Sequence, residues 1–251
     1  IDTASAYGDS ESVLGEIGVS DFKITTKIPA IPDNQQNIES YVENKLELSL
    51  TNLKVRELNT VLIHDAKQLG NKKYFEPIYK VLKRFKERNV IKKIGISIYS
   101  PQELDQIKKL DKFDIIQSPY NIFDRRLKSS GWMKKLKDRG IEIQARSIFL
   151  QGLLLMSNNS RPDKFDKWKE IWEQWHRWLE SEKIIPLTAC VNFVLNENLI
   201  DSVVVGVDSK DQLNEIYRNV KHSSDIFPND ISSDDELLVN PMNWDKLGKN
   251  D

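Results

Sequence analysis

Four residues have types and an order that suit proton chemistry: Asp2, Tyr7, Lys27 and His64. A phenol has an ordinary pKa of ~10 and gives up its proton poorly near neutrality. A nearby ammonium stabilises phenolate and brings the phenol towards the working range. A carboxylate paired with that lysine would hold the ammonium in place and keep it charged. A histidine beside the tyrosine would orient a carbonyl or relay a proton. Such a group can protonate a developing alkoxide. No side chain supplies hydride, so a bound cofactor must.

Each residue also has a plain structural reading. A tyrosine before glycine is commonly a loop residue, the lysine of "ITTK" a solvated strand end, and the histidine of "VLIHDA" a satisfied core group. Their order along the chain, at successive strand ends, favours chemistry.

The elements that must position them follow from periodicity. "FKITTK" (22–27) reads as a buried strand. In 33–53, Ile38, Tyr41, Val42, Leu46, Leu50 and Leu53 recur at helical spacing. A strand over 60–66, a helix over 74–88 and a strand over 91–99 come next. Ser100 is then the expected N-cap of a helix with Pro101 in its first turn. "FDIIQSPYN", a helix around "RRLKSSGWMKKLKDRG" and "IEIQARSIF" continue the alternation. After a longer excursion, "LIDSVVVGV" and the helix "SKDQLNEIYRNV" close it.

Alternating strands and helices imply parallel strands joined by right-handed crossovers. Six strands are expected from Phe22 onward, with Ile1–Asp2 as the last residues of another. Lys27, His64, Ser97, Gln117 and Arg146 fall at or near C-terminal strand ends. An open doubly wound sheet would gather its site at one switch point. Contributions from nearly every strand predict instead a (β/α)8 TIM barrel.

Composition bounds the remaining classes. The chain has 251 residues, enough for one large α/β barrel or two ordinary domains, with 39% hydrophobic and 30% charged residues. Lys plus Arg number 37 against 38 Asp plus Glu, so neither nucleic acid nor an anionic membrane is expected as partner. A lone cysteine, Cys190, excludes an internal disulfide and fits a reducing, cytoplasmic setting. No linker or repeat argues for a second domain; residues 1–251 read as one domain ending in a polar tail over 222–251.

With these residues in hand, the sequence resembles the aldo-keto reductase family. "IDTASAYGDSESVLG" is similar to the family's segment after its second barrel strand, "ITTK" to the strand bringing the lysine, and "VLIHDA" to the one bringing the histidine. "IGISIYS", "IIQSPYNIFDRR", "ARSIFLQGLL", "VVVGVDSKDQL" and "NPMNW" extend the resemblance over almost the whole chain. It implies that Tyr7 is the general acid, that Lys27 lowers its pKa, that Asp2 pairs with Lys27, and that His64 positions a substrate carbonyl.

The resemblance also implies NADPH or NADH as cofactor. Ser97 and Gln117 match positions holding the nicotinamide carboxamide, and residues 147–150, including Ser147 and Leu150, match the pyrophosphate loop. Gly206, Ser209 and Gln212 match the adenosine-phosphate end, where a helix N-terminus suits an anion. Ile98 stands where many members have an asparagine on the carboxamide. Arg146 replaces a stacking tyrosine; its guanidinium can stack but opposes the oxidised ring's positive charge, favouring reduced cofactor. Asp208 occupies a segment where users of NADPH often carry a cation, with Lys210 two residues on as a possible compensation.

The implied function is reduction of a small aldehyde, ketone or sugar-like carbonyl to an alcohol. The rival readings are a non-catalytic barrel acting as a binding subunit, and an inactive truncated fragment. The family's barrel has a first strand, a first helix and most of a second strand before the aspartate. The resemblance therefore expects roughly 40 to 50 residues ahead of Ile1. A chain without them would present open strand edges and aim Asp2 and Tyr7 poorly.

Outside this set, Trp168, Trp172, Trp175 and Trp178 share one helix face and read as packing, or as an aromatic wall. His176 has no partners at ligand spacing, so no metal site is expected. The basic run 125–139 reads as a solvated helix face and Cys190 as inert core.

Overall fold

The computed structural model describes residues 1–220, 227–228 and 230–248. The chain divides into two compact units, Ile1–Gln117 with Asp138–Glu142, and Ser118–Lys137 with Ile143–Asp251.

In the first unit, helix α1 (Ser10–Ile17) is followed by strand β1 (Thr25–Ile28), helix α2 (Ile38–Leu53) and strand β2 (Leu58–Ile63). Helix α3 (Lys72–Glu87), strand β3 (Ile91–Ser97), helix α4 (Gln102–Asp105) and strand β4 (Ile115–Pro119) come next. Helix α2 starts later than the pattern 33–53 suggests because Asn37 caps it, accepting from the Ser40 N–H at 3.0 Å. Its stripe of Ile38, Val42, Leu46 and Leu53 is buried. Lys54, at φ 54°, takes the left-handed conformation that ends it. The expected Ser100 cap is not formed. Helix α4 is only four residues long, Pro101 holds its N-cap position, and the Ser100 hydroxyl turns to the Gln102 side chain instead.

Register sets the site. Strands pair in parallel so that Ile28, Ile63, Ile96 and Ile116 form one row across β1 to β4. Successive strand residues face opposite ways. Lys27, one residue before this row, and His64, Ser97 and Gln117, one residue after it, therefore share the other face. Asp2 joins them through an isolated parallel bridge to Thr25, two residues before Lys27. Gly95 in β3 has no alternative, since a Cβ there would lie 2.3 Å from the Ile115 carbonyl oxygen.

In the second unit, the end of β4 leads to α5 (Arg126–Ser129) and α6 (Trp132–Lys137), and strand β5 (Glu142–Arg146) runs into this unit. Helices α7 (Lys169–Glu182) and α8 (Pro186–Leu195), strand β6 (Ser202–Val203), α9 (Lys210–Asn219) and α10 (Glu236–Val239) complete it. Strand β5 pairs with β6 in parallel.

The basic run is not a solvated face throughout. Arg126 is 5% exposed and bonds Asp124 at 2.8 Å through Nε and Nη2, with Glu236 on Nη1. Gly131, at φ 77°, separates α5 from α6 where one helix was expected. Trp172 and Trp175 are buried and donate to the carbonyls of Phe165 and Leu154, while Trp178 stacks on Trp175. Cys190 is buried, and burial pushes its thiol pKa well above the usual range. Part of the expected polar tail, residues 222–226, 229 and 249–251, lies outside the described residues. In the described part Ile231, Leu238 and Val239 are buried. No helix among the described residues is long and apolar enough to cross a membrane.

Candidate active site

The loop before α1 carries Tyr7 and is tied to β1 along its length. Thr3 N–H donates to the Thr25 carbonyl at 2.8 Å, and the Ser5 hydroxyl donates to the Lys27 carbonyl at 3.1 Å. Thr26 donates to the buried Glu11 carboxylate at 2.5 Å. Helix α1 seats on α2 through Gly15, where a Cβ would lie 2.0 Å from the Asn52 carbonyl oxygen. Gly8, at φ 60°, lets the chain turn after Tyr7.

These ties bring four sequence-predicted residues together. The Lys27 ammonium is buried and donates to Asp2 Oδ1 at 2.5 Å and to the Thr3 carbonyl at 2.8 Å. Its Nζ lies 5.1 Å from the centre of the Tyr7 ring. The His64 ring meets the Tyr7 ring edge-on, with centres 5.8 Å apart and planes at 78°. Tyr7 is 49% exposed, so a phenol next to a buried ammonium faces solvent.

Ser97 and Gln117 are buried on the same face. Gln117 Nε2 donates to Asp2 Oδ2 at 2.7 Å, and the Ser97 hydroxyl makes a long bond, 3.4 Å, to Gln117 Oε1. The Asp2 carboxylate thus receives Lys27 on one oxygen and Gln117 on the other. Ile98 is fully buried, and its backbone N–H donates to the Gln117 carbonyl at 2.9 Å. Sequence reasoning did not anticipate the roles of Thr3 or Glu11, or the contact of Gln117 with Asp2. The polar Thr3 and Glu11 flanking Tyr7 were the available signal for the first two.

The second unit holds the other predicted residues. Arg146 Nη1 donates to the Ser147 hydroxyl at 3.2 Å. Ser147, Leu150, Gln151 and Gly152 have φ of 58°, 47°, 55° and 83°, a cluster of left-handed backbone that only glycine adopts freely. Such strain gathers at functional loops. Leu150 is fully buried and its N–H donates to the Ser147 carbonyl. Gly206, Asp208, Ser209, Lys210 and Gln212 are exposed. Ser209 caps α9 by accepting from the Gln212 N–H at 3.2 Å, and Gln212 Oε1 accepts from the Asp208 N–H at 2.8 Å.

Comparison with known proteins bears on the family and the fold. The model of the aldo/keto reductase family matches residues 1–229. The curated aldo-keto reductase YhdN of Bacillus subtilis (strain 168) is 27% identical over 165 residues, which cover 61% of this chain. The match spans 49% of that relative's length. An aldo-keto reductase from Bacillus halodurans superposes in its holo form with a TM-score of 0.71, at 20% identity over 88% of this chain and 76% of that one. Its apo form gives 0.70 at 20% identity over 89% and 76%. At this identity the likeness shows the fold: the parallel sheet and alternating helices are those of a (β/α)8 barrel lacking some of its elements. With its family model matched from residue 1 to residue 229, the chain belongs to the aldo/keto reductase family.

Proposed function

We propose that this chain carries the proton-transfer site of an NAD(P)H-dependent reductase acting on a small-molecule carbonyl, with Tyr7 as general acid. One observation carries the reading: a buried ammonium, Lys27, held by Asp2 at 2.5 Å and lying 5.1 Å from the centre of the half-exposed Tyr7 ring. When bound, the nicotinamide dinucleotide supplies hydride to the carbonyl carbon. Tyr7 gives its hydroxyl proton to the carbonyl oxygen as negative charge builds there. The Lys27 ammonium stabilises the phenolate left behind, and Asp2 and the Thr3 carbonyl keep that ammonium placed and charged. His64, edge-on to Tyr7, orients the carbonyl.

The residues present suit the cofactor's chemistry. Ser97 and Gln117 offer a buried hydroxyl and a buried amide to the carboxamide, whereas Ile98 offers no side-chain donor. In the second unit, the α9 N-terminus beside Ser209 suits a phosphate anion. Asp208 favours a ribose hydroxyl over a 2′-phosphate there, and Lys210 favours the reverse. Titration with NADPH and then NADH, followed by tryptophan fluorescence, ranks the two cofactors.

Tyr7→Phe tests the catalytic reading. Turnover should fall by about 10²- to 10⁴-fold, the usual share of a positioned acid, with cofactor Kd unchanged. Turnover unaffected by the substitution would overturn the reading and leave a binding module.

A further inference from the structure

We infer that Gln117 is a positioning residue for the acid: it acts on Tyr7 through Asp2 and Lys27. The inference rests on Tyr7 as general acid and deepens that reading. The path consists of contacts within the first unit. Gln117 is fully buried and donates from Nε2 to Asp2 Oδ2 at 2.7 Å. Asp2 Oδ1 accepts from Lys27 Nζ at 2.5 Å, and that nitrogen lies 5.1 Å from the Tyr7 ring centre. Backbone placement alone does not hold the Asp2 carboxylate, whose side chain is 15% exposed and stands on an isolated bridge. Two donors on its two oxygens lock its rotation, and with it the place of the ammonium.

The electrostatic consequence has a definite sign. An N–H bonded to a carboxylate takes up part of its negative charge. Without that donor, the Asp2 charge bears more fully on Lys27, and the field of the ammonium at Tyr7 weakens. The phenolate is then less stabilised, and Tyr7 titrates at higher pH. A buried amide that served only to grip a cofactor would have no such effect in the cofactor-free protein.

The experiment follows the Tyr7 ring by NMR in cofactor-free protein labelled with [13Cζ]tyrosine. Seven tyrosines are present, and the signal lost in Tyr7→Phe identifies the one that matters. Gln117→Met removes the donor at nearly constant volume, and its Tyr7 midpoint should move to higher pH. Gln117→Glu keeps the shape of the side chain and serves if the methionine variant fails to fold. At the alkaline pH where a phenol titrates the glutamate is ionised, so the upward move should be larger. In an Asp2→Asn background Gln117→Met should move the midpoint far less, because the path runs through Asp2. With substrate, Gln117→Met should lower kcat about tenfold, less than the ~100-fold cost of a 1 Å misplacement.

An unmoved midpoint in the folded variants overturns the inference, even if cofactor Kd rises, since Gln117 then grips the cofactor only. A midpoint that moves equally with and without Asp2 also overturns it. Full turnover in Tyr7→Phe would instead remove the reading beneath it, an outcome separate from the position of the midpoint.

Discussion

Two buried ion pairs, one in each unit, are built from the same chemistry and put to opposite use. In the second unit Arg126 and Asp124 are 5% and 1% exposed and only two residues apart. Their contact is bidentate, Asn121 organises the turn by accepting the N–H groups of Phe123 and Asp124, and Glu236 closes the remaining side of the guanidinium. In the first unit Lys27 and Asp2 are 25 residues apart, and the ammonium that Asp2 holds also faces the ring of a 49% exposed tyrosine. The closed pair directs its charges at each other and at neighbouring segments. The open pair leaves a positive field at a group that solvent can reach. Burial makes both pairs costly to break, but only the open one can act on something outside itself.

The comparison is sharpest where each pair loses its cation. Arg126→Met leaves Asp124 buried without its partner, and unfolding in urea should show a loss of about 3–5 kcal/mol, as for other broken buried pairs. Lys27→Met should instead appear in kinetics, as a fall of about 100-fold in kcat, equivalent to ~2.7 kcal/mol of barrier, with a smaller stability loss because Asp2 keeps Gln117. If Lys27→Met cost more stability than Arg126→Met and left kcat intact, the contrast between the pairs would collapse.

Smaller effects test what supports each pair. Gly15→Ala drives a Cβ against the Asn52 carbonyl, so α1 must lift from α2 and shift the loop bearing Tyr7. Overpacking of this kind should cost about 1–3 kcal/mol in denaturation. On the other side, Asp235 caps α10, whose first residue reaches Arg126. Its partial burial works against ionisation, but the Leu237 N–H, the Trp168 indole and Lys167 outweigh it, so its carboxyl sits below the usual range. A carboxyl lowered on folding contributes stability above its unfolded pKa, and that contribution disappears as pH falls through the folded value. Asp235→Asn keeps the capping acceptor and removes only the charge, so it should cost about 0.3–1 kcal/mol at pH 7. The difference from the parent should vanish in acid melts.

Much of the fold was legible because its signals are local. β-Branched runs alternate with helical stripes, so six strands and the terminal bridge of Asp2 could be expected, and Lys27 and His64 could be placed at strand ends. The Ser209 cap was equally readable, a hydroxyl directly before a helical pattern. Other features were not. Arg126 looked solvated because nothing in a run of basic residues reveals that Glu236, 110 positions on, and Asp124 enclose it. Ser100 looked like a cap, but α4 starts one residue later, with Pro101 at its N-cap position and the Ser100 hydroxyl on the Gln102 side chain. The single helix expected over the basic run broke at Gly131, whose positive φ competes with helix continuation.

The sequence by itself determined which groups are present, the strands that bear them and the face each must share, because side-chain direction in a strand follows from counting by two. Tertiary structure alone decided which of them touch. The bond from Gln117 to Asp2 joins residues 115 positions apart, and the field of Lys27 on Tyr7 depends on a few ångströms. Distances of that size come from parallel register and from the seating of α1 on α2, both of which depend on the packed chain as a whole.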